Sequence, residues 1–135
     1  MTGLVLKLGP RERVLINGAV IENGERRSRV NILTPGANIL RLRDAIHPDE
    51  ATTPVRRVCY TAQLVLSGDL EPEATQVSLL ASVEHLMTVF ARTEGQEHLR
   101  AAAGAIREGR FYVALKFLRA LLPIEERLLT LRAQA

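Results

Sequence analysis

Val14-Leu15-Ile16-Asn17-Gly18-Ala19-Val20-Ile21 decides how this chain begins to fold. Two apolar triplets flank an Asn-Gly pair, and both residues of that pair tolerate the positive φ of a type I′ turn. The stretch therefore predicts a β-hairpin with a two-residue loop. Toward the N-terminus, Leu4, Leu6 and Leu8 alternate with Val5 and Lys7, the period-2 pattern of a half-buried strand that Gly9-Pro10 ends. Toward the C-terminus, Asn23-Gly24 supplies a second turn signal ahead of Arg26 to Leu33, where Val30 and Ile32 alternate with Arg29 and Asn31. Pro35-Gly36 predicts another turn, and Ile39 to Leu42 one more short strand. The expectation is four or five short antiparallel strands with arginines on the solvent side of a small sheet.

The pattern then changes period. Asp44 to Thr53 is a polar connector containing Pro48, and Thr53-Pro54 offers a helix N-cap followed by proline at the first helical position. Val55, Val58, Cys59, Ala62, Val65 and Leu66 fall on one helical face, and Gly68 is placed to end that helix. Pro72 opens a second helix with Leu79, Leu80, Val83, Leu86, Met87 and Phe90 as its core face. Gly95 separates a third, built on Leu99, Ala102, Ala103 and Ile106. The last starts at Arg110 and carries Phe111, Ala114, Leu115, Leu118, Leu121 and Leu122, with Pro123 expected to kink or restart it. The fold class is α+β: a small N-terminal antiparallel β-sheet or barrel, residues 1–46, followed by a bundle of three to four helices, residues 47–135. The two halves are expected to form a single compact unit.

With 135 residues, 47% of them hydrophobic and 24% charged, the chain is of ordinary globular composition. A chain of this length buries roughly two-thirds of its unfolded surface and needs no staple. Its single cysteine, Cys59, has no partner for an internal disulfide, which points to a reducing compartment. No signal-peptide pattern and no long apolar span is legible, so a cytoplasmic protein without membrane contact is expected.

Charge is distributed unevenly. Residues 1–67 have a balance of +4 and residues 68–135 a balance of −1, and sixteen of the eighteen basic residues are arginine. The planar guanidinium fork matches phosphates and base edges, so a polyanion-binding half joined to a packing half is one reading. Solvated arginines on strand faces are the other.

Signatures of catalysis are scarce. His47, His85 and His98 lack ligand spacing, Cys59 lies on an apolar helix face, and no phosphate-binding glycine loop is present. Glu125-Glu126 reads as a solvated pair beside Arg127. No catalytic residue, metal site or cofactor is expected. The candidate nucleic-acid contacts are Arg11 and Arg13, Arg26, Arg27 and Arg29, and Arg41 and Arg43. Spacing of i, i+2 on a strand would present each pair to one side as a ladder for successive phosphates. The five aromatic side chains, Tyr60, Phe90, Phe111, Tyr112 and Phe117, all lie in the helical half. RNA contacts would thus use guanidinium and backbone groups, not an aromatic platform.

Several segments also resemble a known family. Leu15-Ile16-Asn17-Gly18-Ala19-Val20-Ile21-Glu22-Asn23-Gly24 is similar to the double Asn-Gly segment of the FlbT family of flagellin regulators. Ile39-Leu40-Arg41-Leu42-Arg43-Asp44 resembles its ILRxKD stretch, and Thr53-Pro54-Val55-Arg56-Arg57-Val58-Cys59-Tyr60 its TPxKRIY helix start. Gly109-Arg110-Phe111-Tyr112-Val113-Ala114-Leu115-Lys116 resembles its GDYYKAL segment. The likenesses run in order from about residue 4 to residue 130. Gly9-Pro10-Arg11-Glu12-Arg13 departs from the usual PGER, and Leu64-Val65-Leu66 from a frequent Met-Tyr-Leu. The resemblance implies a regulator that associates with the 5′ untranslated region of flagellin messenger RNA and represses translation or promotes decay. It also implies a link to FlaF, the companion flagellin regulator. Residues 4–46 further resemble, at the level of pattern, the β-domain of carbon-storage-regulator RNA-binding proteins. The alternative is an adaptor or chaperone-like partner of flagellin or another flagellar protein, without RNA contact. Either form could assemble as a homodimer.

Overall fold

A computed structural model describes residues 4–134. Five strands come first: β1 (Leu4–Leu8), β2 (Arg13–Ile16), β3 (Ala19–Glu22), β4 (Ser28–Ile32) and β5 (Ile39–Arg41). Five helices follow: α1 (Pro54–Ser67), α2 (Pro72–Val89), α3 (Gly95–Arg107), α4 (Phe111–Arg119) and α5 (Leu122–Gln134). The α+β class is as expected, with the strands divided between two small antiparallel sheets, β1-β4 and β3-β2-β5.

The hairpin forms where Asn17-Gly18 predicts it. Asn17 has φ 48° and Gly18 φ 85°, and β2 pairs with β3 from Ile16↔Ala19 to Arg13↔Glu22. The turn is also tied to β5, because Asn17 donates its amide to the Asn38 carbonyl and accepts from the Asn38 amide, each at 2.9 Å. Asn23-Gly24 behaves differently. Gly24 does not take positive φ, and the Asn23 side chain instead joins strands. Its amide donates to the carbonyls of Gly9 at 2.7 Å and Arg26 at 3.0 Å, and its oxygen accepts from the Ser28 hydroxyl at 2.7 Å.

The three-stranded sheet is the middle layer. Register places Val14 beside Arg41 and Leu15 beside Leu40, so alternate residues face opposite ways. Val14 and Ile39 pack on Leu6 and Leu8 of the two-stranded sheet. Leu15 and Leu40 pack instead into the helical core. Tyr112 touches both apolar clusters, which joins the β half to α4.

α1 buries the six side chains its periodicity predicts, Val55, Val58, Cys59, Ala62, Val65 and Leu66. Each large aliphatic among them is worth about 1.5–3 kcal/mol of transfer free energy. Gly68 ends the helix at φ 88°, a conformation that costs glycine little. The final helix is two: Pro123 lacks an amide donor, the chain breaks between Arg119 and Leu122, and α5 restarts with proline in its first turn. That break raises the bundle from four helices to five.

Glu125 is a correction to the sequence reading. It is 6% exposed, and its carboxylate accepts from the Val55 amide at 2.9 Å and from the Thr53 hydroxyl. Restarting at Leu122 turns this residue toward the N-terminus of α1, where free amides and the helix dipole favour an anion. Only Glu126 is solvated. The connector is pinned as well: Gln63 accepts from the Ile46 amide at 2.8 Å and donates to its carbonyl at 3.0 Å. Arg119 donates to the Asp44 carbonyl at 2.8 Å.

Candidate nucleic-acid interface

The seven candidate arginines separate by what their guanidinium groups touch. Arg41 faces inward, the only orientation open to it opposite buried Val14. Its side chain is 12% exposed and donates to the Glu12 carboxylate at 2.8 and 3.2 Å, and to the Lys7 carbonyl. Those bonds hold the Glu12 carboxyl below the usual carboxylate range, against burial, which pushes the other way. The ladder expected of Arg41 and Arg43 does not form. β5 ends at Arg41, and Arg43 sits in a 3-10 turn spanning Leu42–Asp44. Arg43 still points back to the same carboxylate, 3.6 Å from Glu12, and lies 4.0 Å from Asp44.

Arg11 and Arg13 are also engaged. Arg13 donates to Glu22, its cross-strand partner, at 2.9 Å. Arg11, at φ 60° in the turn after β1, reaches Glu25 at 2.9 Å and Glu22 at 3.6 Å. Hydrogen bonding from Arg13 lowers the Glu22 pKa.

Arg26, Arg27 and Arg29 are exposed and form no ion pair among the described residues. Arg29 lies on β4 with Lys7 of β1 directly opposite, and both are exposed. Leu6 and Leu8 turn the other face of this ribbon into the core, so the period-2 alternation forces Lys7 and Arg29 outward together. Facing like charges destabilise a strand pair, and among the described residues no ion pair offsets them. Arg26 and Arg27 stand in the loop entering β4, which Asn23 ties down from within. The uncompensated positive charge of the β half is therefore gathered on one exposed ribbon and its adjoining loop. It can hold an anion at two or more points. Sequence reasoning passed over Lys7, although its alternation with Leu6 and Leu8 already marks it as outward.

The model of the family described as flagellar protein FlbT matches residues 4–129. This chain belongs to the FlbT family. The probable flagellum biosynthesis repressor protein FlbT of Agrobacterium fabrum is 31% identical to it, over 94% of this chain and 84% of that protein. The corresponding protein of Chelativorans sp. is also 31% identical, over 93% and 83%. The flagellum biosynthesis repressor protein FlbT of Caulobacter vibrioides is 29% identical over 91% and 86%. No solved structure matches.

Burial pushes the Cys59 thiol up to about 12, which leaves it no thiolate at neutral pH. His47 caps the 3-10 turn at Pro48–Glu50 and His85 is exposed on α2. Among the described residues no group of histidine, cysteine and acidic side chains could hold a metal ion. No described helix is long and apolar enough to cross a membrane. A cleft of about 430 Å³ brings Arg43, Arg56 and Arg119 together, but Asp44, Asp49 and Glu50 line it too and cancel its charge.

Proposed function

We propose that this protein is a cytoplasmic post-transcriptional regulator of flagellin synthesis. It binds the 5′ untranslated region of flagellin messenger RNA and represses translation or promotes decay. The contact surface is the outer face of the β1-β4 ribbon with the loop before β4, through Lys7, Arg26, Arg27 and Arg29. Arg43 is a flanking contact, since its guanidinium comes no nearer than 3.6 Å to Glu12 and 4.0 Å to Asp44, against the 2.9 Å pairs that hold Arg11 and Arg13. Arg11 and Arg13 contribute only by exchanging carboxylate for phosphate, and Arg41 supports the sheet.

One observation carries the reading: Lys7 and Arg29 face each other across two paired strands, both exposed, and neither forms an ion pair among the described residues. Membership of the FlbT family, whose relatives are named as flagellum biosynthesis repressors, supplies the biological setting. The helical half serves for docking of a FlaF-type regulator or a second copy.

A second reading has its own observation. An open cleft of about 550 Å³ lies between the 33–38 loop and the start of α4, lined by Leu33, Ala37, Phe111 and Val113 among others. Such a surface suits an apolar segment of flagellin or another flagellar protein, held without RNA.

The test is an electrophoretic shift with the cognate flagellin leader RNA, alongside pull-down of flagellin. The proposal expects a retarded RNA complex that dissociates steeply as salt rises. A stable flagellin complex with no RNA shift at micromolar protein would replace it by the second reading.

A further inference from the structure

The outer face of the β1-β4 ribbon holds four described side chains in two cross-strand pairs. Lys7 stands opposite Arg29, and Val5 opposite Asn31. All four are exposed, and Val5 retains 48% of its surface in solvent. Asn31 is the one neutral polar member of this face. Its side-chain amide makes no hydrogen bond to any described residue, whereas Asn17 and Asn23 each use theirs to hold turns together. An asparagine that stabilises no turn, cap or neighbour has no evident role within the fold.

Its position gives it one toward a ligand. Asn31 follows Arg29 by two residues on the same face, roughly 7 Å along the strand. A phosphate seated between Lys7 and Arg29 therefore brings the nucleoside of the same or the next nucleotide over the Val5–Asn31 pair. Val5 offers an apolar floor for the flat of a base. The Asn31 amide offers two donors and an acceptor at its edge. Phosphate contacts fix position and carry no sequence, so a neutral amide beside a cation pair is where base reading can occur.

We infer that Asn31 is a specificity-determining residue that reads an adenine in single-stranded RNA. An asparagine amide is complementary to adenine, accepting from N6 and donating to N7. That edge is open when the base is unpaired. The inference rests on the proposed RNA contact at Lys7 and Arg29 and adds the base identity that contact alone lacks.

The experiment uses the full chain and fluorescent ten-nucleotide oligo(A), oligo(C) and oligo(U), each titrated at several salt concentrations. Wild type is expected to prefer oligo(A). Asn31→Ala should abolish that preference, weakening oligo(A) binding about tenfold and leaving the salt slope unchanged. Because Asn31 is exposed, its variant should melt with the wild type. Lys7→Ala with Arg29→Ala should instead flatten the slope for all three oligonucleotides equally. An oligo(A) preference retained by Asn31→Ala, or none in wild type, overturns the inference while the RNA reading stands. No binding of any oligonucleotide, or an unchanged slope in the cation variant, removes the RNA contact itself.

Discussion

Glu12 and Arg41 lie 29 residues apart and meet in a two-pronged ion pair whose side chains are 8% and 12% exposed. Arg41 also donates to the Lys7 carbonyl, so one guanidinium joins β1, the turn before β2 and β5. Removing one partner strands the other charge in a partly dry site. Arg41→Ala and Glu12→Gln should each destabilise the fold by about 2 kcal/mol. The Glu12 pKa is lowered in the folded state, so its contribution is complete above the ordinary value of 4.5 and fades as pH falls through the depressed one. Denaturant melts at pH 7 and below pH 4 should show the gap between wild type and Glu12→Gln closing. A gap that is constant with pH would deny the pair its role.

Glu125 and Glu126 are adjacent and should behave oppositely. Glu125→Ala removes the acceptor for the Val55 amide at the start of α1 and should cost about 1–3 kcal/mol. Glu126→Ala, on an exposed position, should stay within about 0.5 kcal/mol of wild type. Equal melting temperatures for the two variants would contradict the capping role.

Val58 is 6% exposed on the inner face of α1. An aspartate there would bring an unpaired charge into the core and should cost several kcal/mol. A Val58→Asp protein melting within a degree or two of wild type would show that α1 packs less tightly than its burial indicates.

Cys59 provides a probe of the same helix. The residue is 3% exposed and its thiol pKa is raised to about 12 by burial. At pH 8 a thiol reagent should label it only as the protein unfolds, with labelling tracking the denaturant transition. Fast labelling of the native protein would refute the burial.

These cases divide what the sequence makes legible from what it does not. The period of α1, the Asn17-Gly18 turn and the stop at Gly68 depend on local chemistry, and all three are readable from neighbouring residues. The split of the strands into two sheets is not, because Leu15 and Val14 are both apolar and only tertiary packing tells which faces the helices. Glu125 looks solvated until Pro123 restarts α5 and turns it toward α1. The candidate site shows the same limit. Counting arginines finds the basic half, but carboxylates distant in sequence decide which stay available, as Glu12 does for Arg41. Lys7 and Asn31 acquire meaning only through the β1-β4 register.

The direct measurement of the central claim is the salt dependence of leader-RNA affinity for wild type and for the triple variant Arg26→Ala, Arg27→Ala, Arg29→Ala. Every phosphate of single-stranded RNA that a cation no longer neutralises lowers the slope of log affinity against log salt by about 0.7. The triple variant should therefore bind more weakly with a slope smaller in magnitude by about 2, while melting as wild type does. Unchanged affinity and slope in a well-folded triple variant would contradict RNA binding through this ribbon and its loop.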